Sequence, residues 1–186
     1  MTGAPAQTHI ETRTVRARLS TVLSWVWTLA IAGVIYAVIY TIILASNPGL
    51  SPQFRLSAEP LINTGPIVQT HVAGAMAALL IGSVLMIGPK GRTYHKTLGW
   101  MWVVAMAVTA VSSFFITGLM GKWYSPIHAL SAWTGLALPF AVAAARRRKI
   151  QEHRKTMTGM FFGGIFIAGL FSFLPGRIMW QLLFEI

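Results

Sequence analysis

The sequence predicts an all-α integral membrane protein with five transmembrane helices, and three observations support this fold class. Hydrophobic residues make up 55% of the 186-residue chain, whereas charged residues make up only 10%. Apolar stretches of about 20 residues, the length that spans a bilayer as a helix, recur along the chain. The basic residues are concentrated in alternate loops between these stretches. Together these features predict helices that cross the membrane in alternating directions.

The chain divides into a tail, one separate span, a loop, a four-helix bundle and a terminal segment. Residues 1–18 form a polar tail before a first span at 19–45 (Leu19 to Ala45), which is too long for a signal-peptide core. Residues 46–66 form a loop rich in Pro and Gly, and residues 175–186 form the C-terminal segment. The bundle, residues 67–174, holds spans predicted at Ile67–Gly88, Leu98–Leu119, Pro126–Ala145 and Thr156–Leu174.

The distribution of basic residues predicts the orientation in the membrane. Twelve of the 15 lie before the first span or in the loops after the second and fourth spans, and the others are Arg55, Lys122 and Arg177. Because Lys and Arg are enriched in cytoplasmic loops, the N-terminus is expected in the cytoplasm of a bacterium and the C-terminus outside its inner membrane. The net charge of +11 therefore indicates contact with anionic lipid headgroups and no nucleic-acid partner.

Helices two to five are predicted to form two similar hairpins. His95 follows His71 by 24 residues, and His153 follows His128 by 25 residues, with a basic loop inside each interval. Parallel repeats related by an axis along the membrane normal place corresponding helices diagonally across a four-helix bundle. Helix two is therefore expected opposite helix four, and helix three opposite helix five.

The four histidines of the hairpins are candidate cofactor ligands, because each lies at the start of one span. His71 and His128 are expected near the extracytoplasmic surface, and His95 and His153 near the cytoplasmic surface. The two layers would be about 20 to 25 Å apart at 1.5 Å of rise per residue. Two neutral imidazoles from opposite helices are the ligands of a six-coordinate b-type haem. The pattern thus predicts two haem irons, each held by one layer, and no catalytic residue.

Neighbouring residues are consistent with this hypothesis. Small residues share the helix face of His71, and we expect them to leave room for a flat macrocycle; they are Gly74, Ala75, Ala78 and Gly82. Basic residues near His95 and His153 are candidate partners of haem propionates; they are Arg92, Lys96 and Arg154, with Lys90. Arg55 or Lys122 would be the propionate partner at the layer of His71 and His128. The absence of cysteine excludes c-type haem and Cys-ligated clusters.

Two other interpretations stay open. Interfacial histidines often contact headgroups or backbone, and small residues such as Gly159 and Gly163 at GxxxG spacing often pack helices. A cofactor-free structural or assembly subunit, or a small-solute carrier, would have the same features. No acidic residue lies in a span, which argues against ion-coupled transport. A copper or zinc site at His71 and His128 is less consistent with the sequence, because methionines do not cluster there.

Two motifs carry a resemblance to a known family. His95, Leu98 and Gly99 form a His-x-x-Leu-Gly pattern, and His153, Arg154 and Met157 form a His-Arg-x-x-Met pattern. Through them, residues 69–180 resemble an uncharacterised bacterial family of predicted membrane proteins, the domain of unknown function 2306. Thr156 stands where family members commonly have Trp. The resemblance implies a membrane protein and brings no established activity.

The arrangement of four histidines on four helices is similar to that of cytochrome b561-type proteins, which hold two b-type haems. This second resemblance implies an oxidoreductase-like electron carrier that passes electrons across the bilayer. A quinol or quinone is the candidate substrate on one side. A metal, an oxygen species or a redox partner protein is the candidate on the other. Helix one, outside the repeat, is expected to cover the bundle or to make a homodimer contact.

Overall fold

The structure, a computed structural model, describes residues 4–116 and 126–185, with side chains described at Ser20, at 23–116 and at 128–185. The chain separates into two compact units, Met1–Leu50 and Ser51–Ile186. Nearly all of the described backbone is helical, so the prediction of an all-α membrane protein is confirmed.

The first unit consists of one long helix, α1 (Ala4–Ser46). Its part from Leu23 to Ser46 is long and apolar enough to cross a bilayer. The helix also includes residues 4–18, which the sequence predicted to be a separate polar tail. It ends where Asn47 Nδ2 donates a hydrogen bond to the Ile43 carbonyl oxygen (2.8 Å) and Pro48 prevents continuation.

The second unit contains the predicted hairpins. Its elements are β1 (Gln53–Phe54), α2 (Glu59–Ile62), α3 (Pro66–Ile87), α4 (Thr93–Ser113), α5 (Pro126–Arg146), α6 (Ile150–Gly159), a π-helical segment (Met160–Phe166), α7 (Ile167–Ser172), α8 (Ile178–Gln181) and β2 (Phe184–Glu185). The stretches that are long and apolar enough to span a membrane here are α3, His128–Arg146 and Ile150–Ser172. These helices imply direct contact with the lipid bilayer.

Helix α4 corresponds to the predicted third span, but its described part is not among the helices that are both long and apolar enough to cross a membrane. Its first turn, from Thr93 to Lys96, is polar. The predicted end of the span, Leu119, lies outside the described residues. The described part of α4 is nevertheless 21 residues long.

The helices of the second unit pack in sequence. Helix α3 packs along α4, α4 along α5, and α5 along α6, while the π-helical segment contacts both α3 and α5. The core between them is apolar and includes Ala78, Trp102, Met106, Ala141, Met160 and Phe161. Helices α3 and α4 approach closely at Gly74, where a Cβ atom would lie 2.8 Å from Thr109 Oγ1.

A small cap lies at one end of the helices. It is formed by the chain segments that precede α3 and follow α7. Strands β1 and β2 pair antiparallel, with Phe54 opposite Phe184. Beyond the strands, the Arg55 and Ser57 amides donate to the carbonyl oxygens of Leu183 (2.9 Å) and Leu182 (3.0 Å). Helix α2 packs against α8. We call residues 53–62 and 178–185 the cap.

Candidate functional site

A cavity of about 400 Å³ lies at the end of the helices opposite the cap. Four helical stretches contribute to its walls: the C-terminal turns of α3 and α5, the N-terminal half of α4, and α6 with the start of the π-helical segment. Both predicted ligands of this end, His95 and His153, line it. We call it the His95–His153 cavity. The structure therefore brings together one histidine from each predicted hairpin.

The imidazole of His153 is oriented by a hydrogen bond to a neighbouring helix. Its Nδ1 lies 3.0 Å from the carbonyl oxygen of Ala141 on α5. Because a carbonyl oxygen only accepts, Nδ1 carries the proton, and in the neutral ring Nε2 then has a lone pair. Metal-bound histidines commonly hold their other ring nitrogen in this way. The bond thus orients the His153 ring and, in the neutral form, leaves Nε2 as the nitrogen with the lone pair.

His95 lies in the first turn of α4, before the predicted span, and is half-buried. Burial lowers the pKa of its imidazole, and electrostatic interactions with His153 and Lys90 lower it further. A lowered pKa favours the neutral ring, which is the form that binds a metal.

Two cations line the cavity. They are Lys96, which the sequence predicted, and Arg146, which it did not assign to the site. The guanidinium carbon of Arg146 lies 5.7 Å from the centre of the Trp100 ring, a cation–π distance that orients the charge at the cavity. Arg146 is the last residue of α5 and the first of four consecutive basic residues. Nothing in the sequence distinguishes it from the three that follow.

The other two predicted propionate partners, Arg92 and Arg154, are exposed and are not among the residues that line the cavity. Their assignment stays a prediction. Lys90 donates hydrogen bonds to the carbonyl oxygens of Met86 (2.6 Å) and Gly88 (2.8 Å), so it caps the C-terminus of α3.

The apolar side of the cavity is made of well-packed aromatic residues. Trp102 is buried and its Nε1 donates to the Ala78 carbonyl oxygen at 2.9 Å. Phe161, at the start of the π-helical segment, packs against Gly82 so tightly that a Cβ atom there would lie 2.5 Å from the ring. Gly99, by contrast, faces open space within the lining. The cavity thus has a tightly packed aromatic wall and open space next to Gly99.

The two remaining histidines lie at the cap end, His71 against α4 and His128 beside Phe114, which follows α4. His71 Nδ1 lies 3.0 Å from the carbonyl oxygen of Thr109, and Ser112 Oγ lies 3.2 Å from the same nitrogen. His128 is buried, and its ring centre is 6.1 Å from that of Phe114. The described contacts therefore bring His71 to the last turns of α4 and His128 to Phe114, directly after α4.

The local contacts differ from two expectations. Near His71, Thr109 and Val108 pack on Gly74, whereas Gly82 lies at the His95–His153 cavity, where Phe161 and Trp102 pack on it. Helix packing needs these glycines, as it does in many membrane proteins. Arg55 is paired with Glu185 (Nη1 to Oε2, 2.5 Å) in the cap, so it is not held toward the histidines. Lys122, its predicted alternative, lies outside the described residues.

Among the residues that the structure describes, no group of three or more His, Asp or Glu side chains is arranged to hold an isolated metal ion. A two-histidine haem site needs no such group, because the porphyrin supplies the other four ligands.

Comparison with known proteins identifies the family. A family model described as predicted membrane protein (DUF2306) matches residues 68–183, which include the four candidate histidines and helix α8 of the cap. No curated protein and no solved structure matches the chain. The chain therefore belongs to this family of predicted membrane proteins.

Proposed function

We propose that this member of the DUF2306 family of predicted membrane proteins transfers electrons across a bacterial inner membrane, using two b-type haems. His95 and His153 would be the axial ligands of one haem, and His71 and His128 those of the other. A quinol is the proposed donor, and a redox partner protein is the proposed acceptor.

One observation carries the proposal: four helices surround a single cavity that presents one histidine from each hairpin. Its volume of about 400 Å³ lies within the range of cofactor sites, roughly 300 to 1,000 Å³. It combines an apolar aromatic wall with two cations, Lys96 and Arg146. An amphiphilic macrocycle with carboxylate side chains is complementary to such a lining, because Arg and Lys form strong charge-assisted hydrogen bonds with carboxylates.

The packing of the helices supports the pairing of ligands. Helix α3 contacts α4 and the π-helical segment, and α5 contacts α4 and α6, so the helices neighbour each other in chain order around a ring. In such a ring α3 lies opposite α5, and α4 opposite α6. His95 with His153, and His71 with His128, are then the diagonal pairs that flat, six-coordinate haems require.

The histidine geometry gives further support. His71 and His153 each bond through Nδ1 to a backbone carbonyl oxygen of the adjacent helix, which leaves Nε2 as the ligating atom in both. The same preparation at opposite ends of the unit is consistent with two sites of one kind.

The cap supports five spans. Because β1 and β2 are hydrogen-bonded, residues 54 and 184 lie at the same membrane surface, and the helices between them must cross an even number of times. Helices α3, α5 and Ile150–Ser172 account for three crossings. Helix α4 would be the fourth, and α1 the fifth. With the basic loops in the cytoplasm, the N-terminus is inside and the cap is extracytoplasmic.

Bound haem would supply reversible one-electron chemistry, as its iron alternates between the ferric and ferrous states. A quinol donor would be oxidised to the quinone, giving up two electrons and releasing two protons. His95, His153, His71 and His128 would hold the haems, and a haem held by two histidines would carry electrons without binding oxygen.

The test is the absorption spectrum of the purified protein in detergent, dithionite-reduced minus air-oxidised, with pyridine extraction to count haem per chain. We expect sharp b-type bands and two haems per chain. One haem per chain would restrict the proposal to the His95–His153 cavity. A colourless protein, after expression with ample haem, would contradict the proposal and favour a cofactor-free assembly subunit or solute carrier.

A further inference from the structure

The cap exposes large apolar side chains on one face of its first strand. Phe54 is 74% exposed and Leu56 is 77% exposed. Because side chains alternate along an extended strand, these two share a face, while Gln53 and Arg55 share the other. The backbone hydrogen bonds of Arg55 and Ser57 to the partner segment continue the extended pairing through Leu56. The segment is therefore amphipathic.

The apolar face is turned toward the ends of the spans. Phe54 packs edge-on against Phe184 at 6.1 Å between ring centres, and Phe184 stacks on Trp180 at 4.2 Å. Trp180 is buried in α8, which packs against α7, the end of the last span. The opposite face carries the Arg55–Glu185 ion pair. Because the spans lie in the membrane, a face turned toward the ends of the spans is turned toward the bilayer. The exposed apolar side chains therefore face the bilayer surface.

The exposed surface continues from the cap onto a span. Ile62, at the end of α2, is 68% exposed, and Ile67, in the first turn of α3, is 43% exposed. Ile67 belongs to α3, which is long and apolar enough to cross a membrane. Exposed apolar side chains thus occur both on the cap and where the cap meets a helix that is apolar enough to span a membrane, so lipid is the occupant that we infer for this face.

We propose that Phe54 and Leu56 insert into the boundary between headgroups and acyl chains of the leaflet next to the cap. The cap is then an amphipathic strand pair seated on the lipid surface, with Arg55 and Glu185 on its water-facing side. Aromatic rings favour this depth of the bilayer, where an apolar body meets a hydrated boundary. This inference does not depend on haem.

The experiment uses the absence of native cysteine in the chain. Phe54→Cys, Leu56→Cys and the matched control Gln53→Cys are each labelled with a nitroxide, in the full chain reconstituted into phosphatidylcholine–phosphatidylglycerol nanodiscs. Electron paramagnetic resonance then compares collisions with oxygen, which concentrates in the bilayer, and with a water-soluble nickel chelate. We expect the ratio of oxygen to nickel accessibility to be several-fold higher at positions 54 and 56 than at position 53.

Equal, water-like ratios at all three positions would overturn the proposal. Protection of positions 54 and 56 from both reagents would also overturn it, because it would indicate that protein covers this face. Phe54→Cys removes the ring that packs on Phe184, so Leu56→Cys provides an independent test that leaves the aromatic contacts of the cap intact.

Discussion

At the residue scale, two histidines have one ring nitrogen committed to a backbone carbonyl oxygen of the neighbouring helix. His71 bonds to Thr109 and His153 to Ala141, each at 3.0 Å. Such a bond fixes both the tautomer and the plane of the ring, which a ligand site must do before the ligand arrives. It also explains how an interfacial histidine can face the interior of a bundle although basic residues flank it.

The paired ligands predict how haem is lost on substitution. Replacing His95 or His153 with Ala should remove the haem of the His95–His153 cavity and retain the other, whereas His71→Ala or His128→Ala should do the reverse. Removing one axial ligand leaves the iron with a single protein bond. Haem content and reduced spectra of the four purified variants measure this. Identical haem loss in all four variants would contradict the pairing.

Gly82 tests the rigid wall of the same cavity. In Gly82→Ala the new Cβ would meet the Phe161 ring at 2.5 and 2.6 Å and Trp102 Nε1 at 2.7 Å. Both aromatic residues are buried, so neither can move without disturbing the core. We expect the free energy of unfolding to fall by about 1 to 3 kcal/mol, the usual cost of overpacking a core. The measurement is the midpoint of thermal unfolding in detergent, which should be lower than in the unsubstituted protein.

The matched control for Gly82 is Gly135→Ala, also within a helix. A Cβ atom at Gly135 would have no other atom within 4 Å. We expect its unfolding midpoint to be unchanged or slightly raised, because Ala is the better helix former by about 0.5 to 1 kcal/mol. Equal loss in both variants would mean that the contact at Gly82 does not limit stability.

The sequence placed the four histidines correctly at the starts of helices, because periodicity and spacing suffice for that. It could not select Arg146 over its basic neighbours, since the choice depends on the helix end and on the Trp100 ring. It also assigned the small residues after His71 to a ligand, whereas Gly74 and Gly82 accommodate α4 and Phe161. Sequence alone does not reveal which partner fills the space above a glycine.

At the scale of elements, the turn between α5 and α6 contains a strained residue. Arg148 has φ of 60°, in the left-handed region. The Lys149 amide donates to the Ala144 carbonyl oxygen (2.9 Å), the bond that closes a helix C-terminus around such a residue. Glycine usually holds this position, since a side chain there costs about 1 to 2 kcal/mol.

Arg148→Gly should therefore raise the apparent stability by about 1 kcal/mol. Arg147→Gly is the control: it removes the same charge, but Arg147 has no positive φ to relieve, so the added backbone freedom should make it neutral or destabilising. Thermal unfolding of the two variants in the same detergent measures the difference. Similar effects in both would assign the change to charge and not to backbone strain.

The π-helical segment, Met160–Phe166, is an element within a predicted span that the sequence did not predict. Its apolar residues and two adjacent glycines fit an ordinary span equally well. The wider turn arises from packing, because Met160 and Phe161 are both buried, and Phe161 reaches Gly82 on α3. A local sequence pattern does not encode such a contact between distant residues. π-Helical turns often occur at functional sites.

At the scale of the whole molecule, hydropathy and charge were sufficient for the membrane class, because lipid demands long apolar helices. The third span was harder to define, since α4 begins with a polar turn. The cap was predicted only as a loop and a terminal segment. Its strand pairing joins residues more than a hundred positions apart, which no local pattern contains.

The cysteine-free chain allows the proposed topology to be tested in cells. We expect a membrane-impermeant maleimide to label Gln53→Cys from outside intact cells, and to label Gln151→Cys only after the membrane is broken. Five spans with the N-terminus inside require this result, because Gln151 follows an even number of crossings. If α4 does not cross, both cysteines lie outside and both are labelled. Denatured samples serve as the control for reactivity.

The pairing of β1 with β2 has a consequence for biogenesis. Arg55 and Glu185 are 130 residues apart, so the ion pair and the strands cannot form until the last helix has been translated and has crossed the membrane. Contacts between such distant residues form late, after local helices and hairpins. The cap would thus close only on a fully inserted chain. A chain with one helix left out would hold its two strands on opposite sides of the membrane, with β1 unpaired and available to proteases.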